Sequence, residues 1–251
     1  MTDSSDRKVA FITGANRGIG FETARQLGKA GIFPVLGARS ADAGREAVAT
    51  LAKDGIEAHW LLFDATRAED HERAYHYFAD SLGRLDILIN NAGIYLEGEI
   101  GTKDLYTPLD IPSGVLRETM EANFFAPVAL TQKLLPLIAK AGAGRIVNVS
   151  SILGSLTLHA DPESPIYSLG AVAYDTSKTA LNAYTVHLAK ALRGSRIKVN
   201  AAHPGWVQTA MGGSAAPMNV ADGAKTSVAL ATLGDEGPSG GFFHLGEPLP
   251  W

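Results

Sequence analysis

Short apolar runs alternate with longer amphipathic stretches along this 251-residue chain. Runs rich in β-branched and other apolar residues predict strands at 8–13, 33–37, 57–62, 86–90, 145–149, 196–201 and 242–245. Between them, apolar residues recur at helical spacing, which predicts helices at 18–30, 42–54, 68–82, 113–140, 172–193 and 222–233. Alternation at this rhythm argues for an α/β fold, a doubly wound parallel sheet of about seven strands with helices on both faces. No repeat, low-complexity tract or linker divides residues 1–251, so a single domain is expected.

Composition acts mainly by exclusion. Hydrophobic residues make up 46% and charged residues 19%, as in an ordinary globular protein. With no cysteine, disulfides, thiolate metal sites and cysteine nucleophiles are ruled out. A net charge of −4 leaves no basic footprint, so no nucleic-acid partner is expected. The polar start, Met1 to Lys8, lacks a signal peptide's apolar stretch, and no apolar run approaches the ~18 residues that span a bilayer. The expectation is therefore no membrane partner and a cytoplasmic location. His71 and His76 are off helical metal-pair spacing, and no His-Glu-x-x-His motif occurs, so no metal is expected. Asp161 and Glu163 read as solvated loop acids.

Candidate chemistry sits at two points. The strand-like run Val9 to Thr13 leads into Gly14-Ala15-Asn16-Arg17-Gly18-Ile19-Gly20 and then a helical segment. In that setting glycines let the backbone approach a dinucleotide pyrophosphate, and the helix N-terminus offers free N–H groups and a positive dipole end. The first gap is one residue longer than in the G-x-G-x-x-G fingerprint. Farther along, Tyr174 precedes Lys178 by one helical turn, which puts both on one face. A lysine ammonium beside a phenol favours the phenolate, so the Tyr174 pKa should fall and suit the residue to general acid–base chemistry. Tyr167 lacks this partner, because position 171 is alanine.

Thr13-Gly14-x-x-x-Gly18-x-Gly20, Asn90-Asn91-Ala92-Gly93, Ser151, Tyr174 and Lys178 occur in the order seen in the short-chain dehydrogenase/reductase family. The chain resembles that family from residue 13 to about residue 209. The resemblance implies a Rossmann-type sheet and transfer of hydride between a nicotinamide cofactor and a small carbonyl or alcohol substrate. It implies that Ser151 binds the carbonyl oxygen (with Ser150 as the alternative), that Tyr174 passes the proton, and that Lys178 also binds the nicotinamide ribose. It further implies that Asn123 supports a water relay to Lys178, although a local kink or a structural bond would also explain a helical asparagine. Asp64 is expected at the adenine amino group, with turn residue as its plainer reading. Asn90, Ala92 and Gly93 are expected along the cofactor, in a segment that also braces the sheet. Pro204 and Gly205 match the family's Pro-Gly segment, and Val207 and Thr209 match its carboxamide contacts.

The second predicted strand ends at Ala38-Arg39, with alanine where the family's acidic residue aligns. Without that acid, and with Arg17 and Arg39 to meet a 2′-phosphate, NADP(H) is expected over NAD(H). In two places the chain departs from the family. Ser151 and Tyr174 are separated by an insertion within 152–172, similar in kind to that of the carbonyl-reductase-like branch. The segment after Thr209 is too short for a two-helix substrate lid. An open pocket follows, walled partly by 152–172 and by the loop 94–112, with His159 either lining it or exposed. A homodimer is expected, with a monomer as the alternative. A cofactor-binding redox sensor without turnover is the competing functional class, disfavoured because Asn123, Ser151, Tyr174 and Lys178 are all present.

Overall fold

The computed structural model describes residues 7–98 and 106–251. Eight strands form one sheet in the order β3-β2-β1-β4-β5-β6-β7-β8. They are β1 (Val9–Ile12), β2 (Phe33–Ala38), β3 (His59–Leu62), β4 (Ile87–Asn90), β5 (Arg145–Val149), β6 (Lys198–Ala202), β7 (Phe242–His244) and β8 (Glu247–Pro248). The first seven run parallel, and only β8 pairs antiparallel, folding back on β7. Helices α1 (Gly18–Lys29), α2 (Ala41–Lys53) and α8 (Val220–Ala231) share one apolar core, and α3 (Ala68–Ser81), α5 (Ala126–Lys140) and α7 (Val172–Ala191) share the other.

Alternation along the strands builds both cores at once. In β1, Ala10 and Ile12 pack with Leu27 and Leu51, while Val9 and Phe11 pack with Phe78 and Leu134. Phe11 meets Phe63 and Phe78 with ring centroids 5.1 and 5.2 Å apart. Strands buried on both faces read as continuous apolar runs, which is why the sequence exposed them so clearly. Chain order reverses between β1 and β4, and in such sheets a crevice opens there at the carboxyl ends of the strands.

Three features differ from the sequence expectation. β8 is an eighth strand; its hairpin turn needs Leu245 at φ 48° and Gly246 at φ 93°, and leucine gives no hint of a left-handed turn. The helix expected at 113–140 is broken by a π-helical turn at Glu121–Phe125, between α4 (Ser113–Met120) and α5. The span Ser113–Lys140 is also long and apolar enough to cross a membrane by length and composition, with half of its most apolar window buried in the fold, as in a core helix. Within 152–172 lie a 3-10 turn (Ile152–Gly154) and the short α6 (Leu156–His159). Part of the expected 94–112 wall, residues 99–105, lies outside the described residues, as does the start of the chain, 1–6.

Candidate active site

A cleft of about 1750 Å³ runs along the carboxyl ends of the strands, from Arg39 and Asp64 past Gly18 and Gly93 to Tyr174, Trp206 and Met211. Its first half is largely backbone. The loop after β1 turns at Gly14 (φ 63°) and Gly18 (φ 58°). A Cβ on Gly20 would sit 2.7 Å from the Gly14 carbonyl, so a side chain there would displace the loop. Asn91 braces this turn: its Nδ2 donates to the carbonyls of Thr13 (2.8 Å) and Gly14 (3.3 Å). Thr13 Oγ1 accepts in return from the N–H groups of Asn91 (3.0 Å) and Ala92 (2.9 Å). At the start of α1, Arg17 provides no side-chain cap and the first turn carries no acid. By contrast, Ser40 caps α2 and Asn219 caps α8. The uncapped N–H groups of α1, the positive end of its dipole and the glycine cradle fit a dinucleotide pyrophosphate.

At the far wall, Asp64 accepts from Thr66 N (3.0 Å) and Thr66 Oγ1 (2.8 Å). Burial opposes its charge, but these bonds and the nearby Arg39 and Arg67 prevail and lower its pKa. Arg39 is exposed beside it and Arg17 is exposed on the glycine loop, and neither is held in an ion pair among the described residues.

The second half of the cleft is made of buried side chains. Tyr174 and Lys178, one turn apart on α7, are 9% and 4% exposed. Lys178 Nζ donates to the Val149 carbonyl at 2.8 Å and lies 5.5 Å from the Tyr174 ring centroid. The Ser151 hydroxyl lies close enough to the Tyr174 phenol to lower its pKa, and it accepts from Leu153 N at 3.2 Å. Ser150 instead donates to Asn182 Oδ1 at 2.6 Å, so Ser151 is the serine that meets the tyrosine.

Asn123 lies in the π turn behind the cleft. Its Oδ1 accepts from Ile94 N (2.8 Å), and its Nδ2 donates to the Ile94 carbonyl (2.9 Å) and Ser177 Oγ (3.1 Å). A Cβ on Gly93 would lie 3.1 Å from Asn123 Oδ1 and 3.7 Å from Lys178 Nζ, which explains glycine there. π turns commonly mark functional sites, because the extra residue re-aims the side chains around it.

Carboxylates grip the start of α7. Glu97, 1% exposed, reaches from the loop after β4 to accept from Ala173 N (3.0 Å) and Tyr174 N (2.8 Å). Asp175 Oδ2 accepts from Ala171 N (3.0 Å) and lies 3.4 Å from His159 Nε2, which also donates to the Leu153 carbonyl at 2.9 Å. Burial, then the charge of Asp175, pushes the Tyr174 phenol well up, while the Ser151 hydroxyl pulls the other way. This corrects the expectation that Lys178 would draw the phenol down. Burial sets the direction here, and it also lowers the Lys178 pKa to about 8. Burial raises Asp175 to about 7, with the Ala171 N–H opposing and Glu97 adding to the rise.

The segment after β6 closes the end of the cleft. Gln208 N donates to the Met218 carbonyl (2.8 Å), and Trp206 Nε1 to the Gly212 carbonyl (2.8 Å). Residues 210–219 form turns and no helix, so no helical lid covers the tyrosine end.

The model of the family described as short chain dehydrogenase matches residues 8–219. The chain belongs to the short-chain dehydrogenase family. It is 31% identical to (-)-isopiperitenone reductase of Mentha piperita, over 97% of this chain and 98% of that protein. It is 32% identical to Carbonyl reductase [NADPH] 1 of Mus musculus, over 99% of this chain and 100% of that one. The solved carbonyl reductase Sniffer of D. melanogaster superposes with a TM-score of 0.81 at 30% identity, covering 98% of this chain and 99% of that one. The chain is thus a carbonyl-reductase-like short-chain dehydrogenase, and the family acts on carbonyl and alcohol groups with NAD(P).

In this short-chain dehydrogenase the cleft gathers Gly14, Asn16, Arg17, Gly18, Ile19 and Gly20 from the loop, Arg39 and Asp64 from the next strand ends, and Ala92 and Gly93 beyond β4. Ser151, Tyr174, Lys178, Pro204, Gly205, Val207 and Thr209 complete the set of expected residues that border it. Asn90 does not. It is buried beneath the cleft, donating to Thr131 Oγ1 (3.0 Å) and Asn148 Oδ1 (2.8 Å), which is the bracing half of its expected role. His159 likewise does not line the cleft but ties the insertion to α7. Glu97 carries no signal in the sequence, and Asn91 lies in the Asn90–Gly93 motif without a role assigned there. Nothing in the local pattern links Glu97 to a helix that begins beyond residue 170.

Proposed function

We propose that this chain is an NADPH-dependent carbonyl reductase that converts an aldehyde, ketone or quinone to the alcohol, or runs the reverse reaction, with Tyr174 as general acid or base. The reading rests on one observation: Ser151, Tyr174 and Lys178 are buried together at one end of a cleft whose other end presents Arg17 and Arg39. The glycine loop and the α1 N-terminus would hold the pyrophosphate. Arg17 and Arg39 would meet a 2′-phosphate, which carries about −1.5 to −2 charge, and Asp64 the adenine amino group. Gly93, Pro204, Val207 and Thr209 would hold the nicotinamide, and Tyr174 and Lys178 its ribose.

When bound, the dinucleotide supplies hydride to the carbonyl carbon. Ser151 and Tyr174 bind the carbonyl oxygen, where negative charge develops, and Tyr174 gives it the proton. The burial that raises the phenol keeps that proton in place at neutral pH, the state a reduction requires. Burial lowers the Lys178 pKa to about 8, and a water beside Asn123 would return the proton to it from solvent. The reading includes a cytoplasmic location and a homodimer, testable by cell fractionation and by sedimentation.

Oxidation of NADPH and NADH by the purified protein, against a panel of aldehydes, ketones and quinones, tests the reading. NADPH-preferring turnover is expected. Failure to bind either dinucleotide would overturn it.

A further inference from the structure

His203 stands at the catalytic end of the cleft without a part in the chemistry above. It extends the β6 ladder by one residue, its N–H donating to the Phe243 carbonyl at 2.8 Å. Side chains alternate along a strand, and Val199 of β6 packs into the core on the α7 side. His203 therefore points to that same side, and it borders the cleft.

Its Nδ1 accepts from the backbone N–H of Ile152 at 3.2 Å, the residue directly after Ser151. A backbone N–H only donates, so the neutral ring must carry its proton on Nε2. His244 packs against it with ring centroids 4.8 Å apart and donates from Nδ1 to the His203 carbonyl at 2.9 Å. Burial, reinforced by His244, lowers the His203 pKa to about 3, so the ring stays uncharged at neutral pH. The residue is 9% exposed, and its Nε2 has no hydrogen-bond partner among the described residues. A donor left open on the cleft wall is available to an acceptor that enters there.

We propose that His203 is a substrate-specificity residue whose Nε2–H binds a second, uncharged oxygen of the substrate, next to the carbonyl that Ser151 and Tyr174 hold. This rests on the reductase reading. Nδ1 is fixed to the N–H of the residue after Ser151, so the ring stands beside the serine's own backbone, and the second oxygen is assigned to the carbon next to the carbonyl. An uncharged donor gives no preference for a carboxylate. The neighbouring walls, Leu153, Ile166, Leu169, Trp206 and Met211, are apolar. The substrate class that fits is a vicinal diketone or α-hydroxy ketone bearing apolar or aromatic groups.

Benzil and deoxybenzoin test this, because they share a frame and differ by one carbonyl replaced with CH2. The quantity to compare is the ratio of their kcat/KM values in the wild type, in His203→Phe and in His203→Gln, with NADPH affinity measured alongside. Loss of the second hydrogen bond should cut the benzil preference about tenfold in His203→Phe. His203→Gln, which keeps an acceptor for Ile152 and a donor for the cleft, should retain most of it. An unchanged ratio in His203→Phe, or equal losses on both probes with weakened NADPH binding, would overturn the assignment. Quenching of bound-NADPH fluorescence reads the contact without turnover. Binding discrimination without turnover would fail the reductase reading and keep His203, whereas turnover without discrimination would do the reverse.

Discussion

At the glycine-loop end of the cleft, the surface is backbone amide and exposed charge; at the tyrosine end, it is buried side chains hydrogen-bonded mostly to backbone groups distant in the chain. The first end presents Arg17 and Arg39 to solvent, and its shape depends on glycines that leave room. The second interlocks Ser151, Tyr174, Lys178, Asn123 and Glu97, each with residues far away in the chain. A binding surface of charge and backbone tolerates the loss of one contributor, because solvent replaces it. A buried network does not, because each lost partner leaves a desolvated polar atom behind.

The sharpest way to break that contrast is Tyr174→Phe. Removing the proton donor should lower kcat/KM for carbonyl reduction by roughly 10² to 10⁴, while NADPH affinity, read by fluorescence titration, stays within about twofold. Glu97→Gln should come next. It replaces one acceptor facing the α7 N–H groups with an N–H₂ donor, so kcat should drop about tenfold and the fold should lose about 1–3 kcal/mol in denaturant unfolding. A Glu97→Gln enzyme with wild-type kcat would show that the grip on α7 does not seat Tyr174. At the other end, Arg39→Ala should weaken NADPH binding severalfold and leave NADH binding and unfolding unchanged. An equal loss for both dinucleotides would remove the 2′-phosphate from the account.

The smallest effect concerns pH and Asp175. Its pKa is raised in the fold to about 7 from the ordinary value of 3.8. A carboxyl raised on folding contributes stability while it is protonated, and that contribution is lost as pH climbs from about 4 through about 7. Asp175→Asn keeps an acceptor for Ala171 N and removes the titration. Its melting temperature relative to wild type should therefore rise by a few degrees between pH 5 and pH 8. A constant difference would mean that Asp175 is already charged at pH 5.

The same contrast governs how much could be read from the chain. Glycine loop, strand and helix are adjacent in sequence, so their chemistry was legible as a motif, as was the one-turn spacing of Tyr174 and Lys178. The buried parallel strands announced themselves as apolar runs. What escaped was long-range or conformational. Glu97 is an ordinary loop acid until the fold brings it to α7. The π turn at Asn123 adds one residue to an otherwise regular pattern, and Leu245 adopts a turn conformation that its side chain does not favour. The direction of the Tyr174 shift is not legible in the sequence, because spacing reveals a neighbouring charge but not the depth of burial around it.

The most direct test follows the label from [4-²H]NADPH into the alcohol formed from a reducible diketone, using wild type and Tyr174→Phe. Deuterium is expected at the carbinol carbon with wild type, and transfer roughly 10² to 10⁴ times slower with Tyr174→Phe. Label transfer by Tyr174→Phe at the wild-type rate would contradict the assignment of Tyr174 as proton donor.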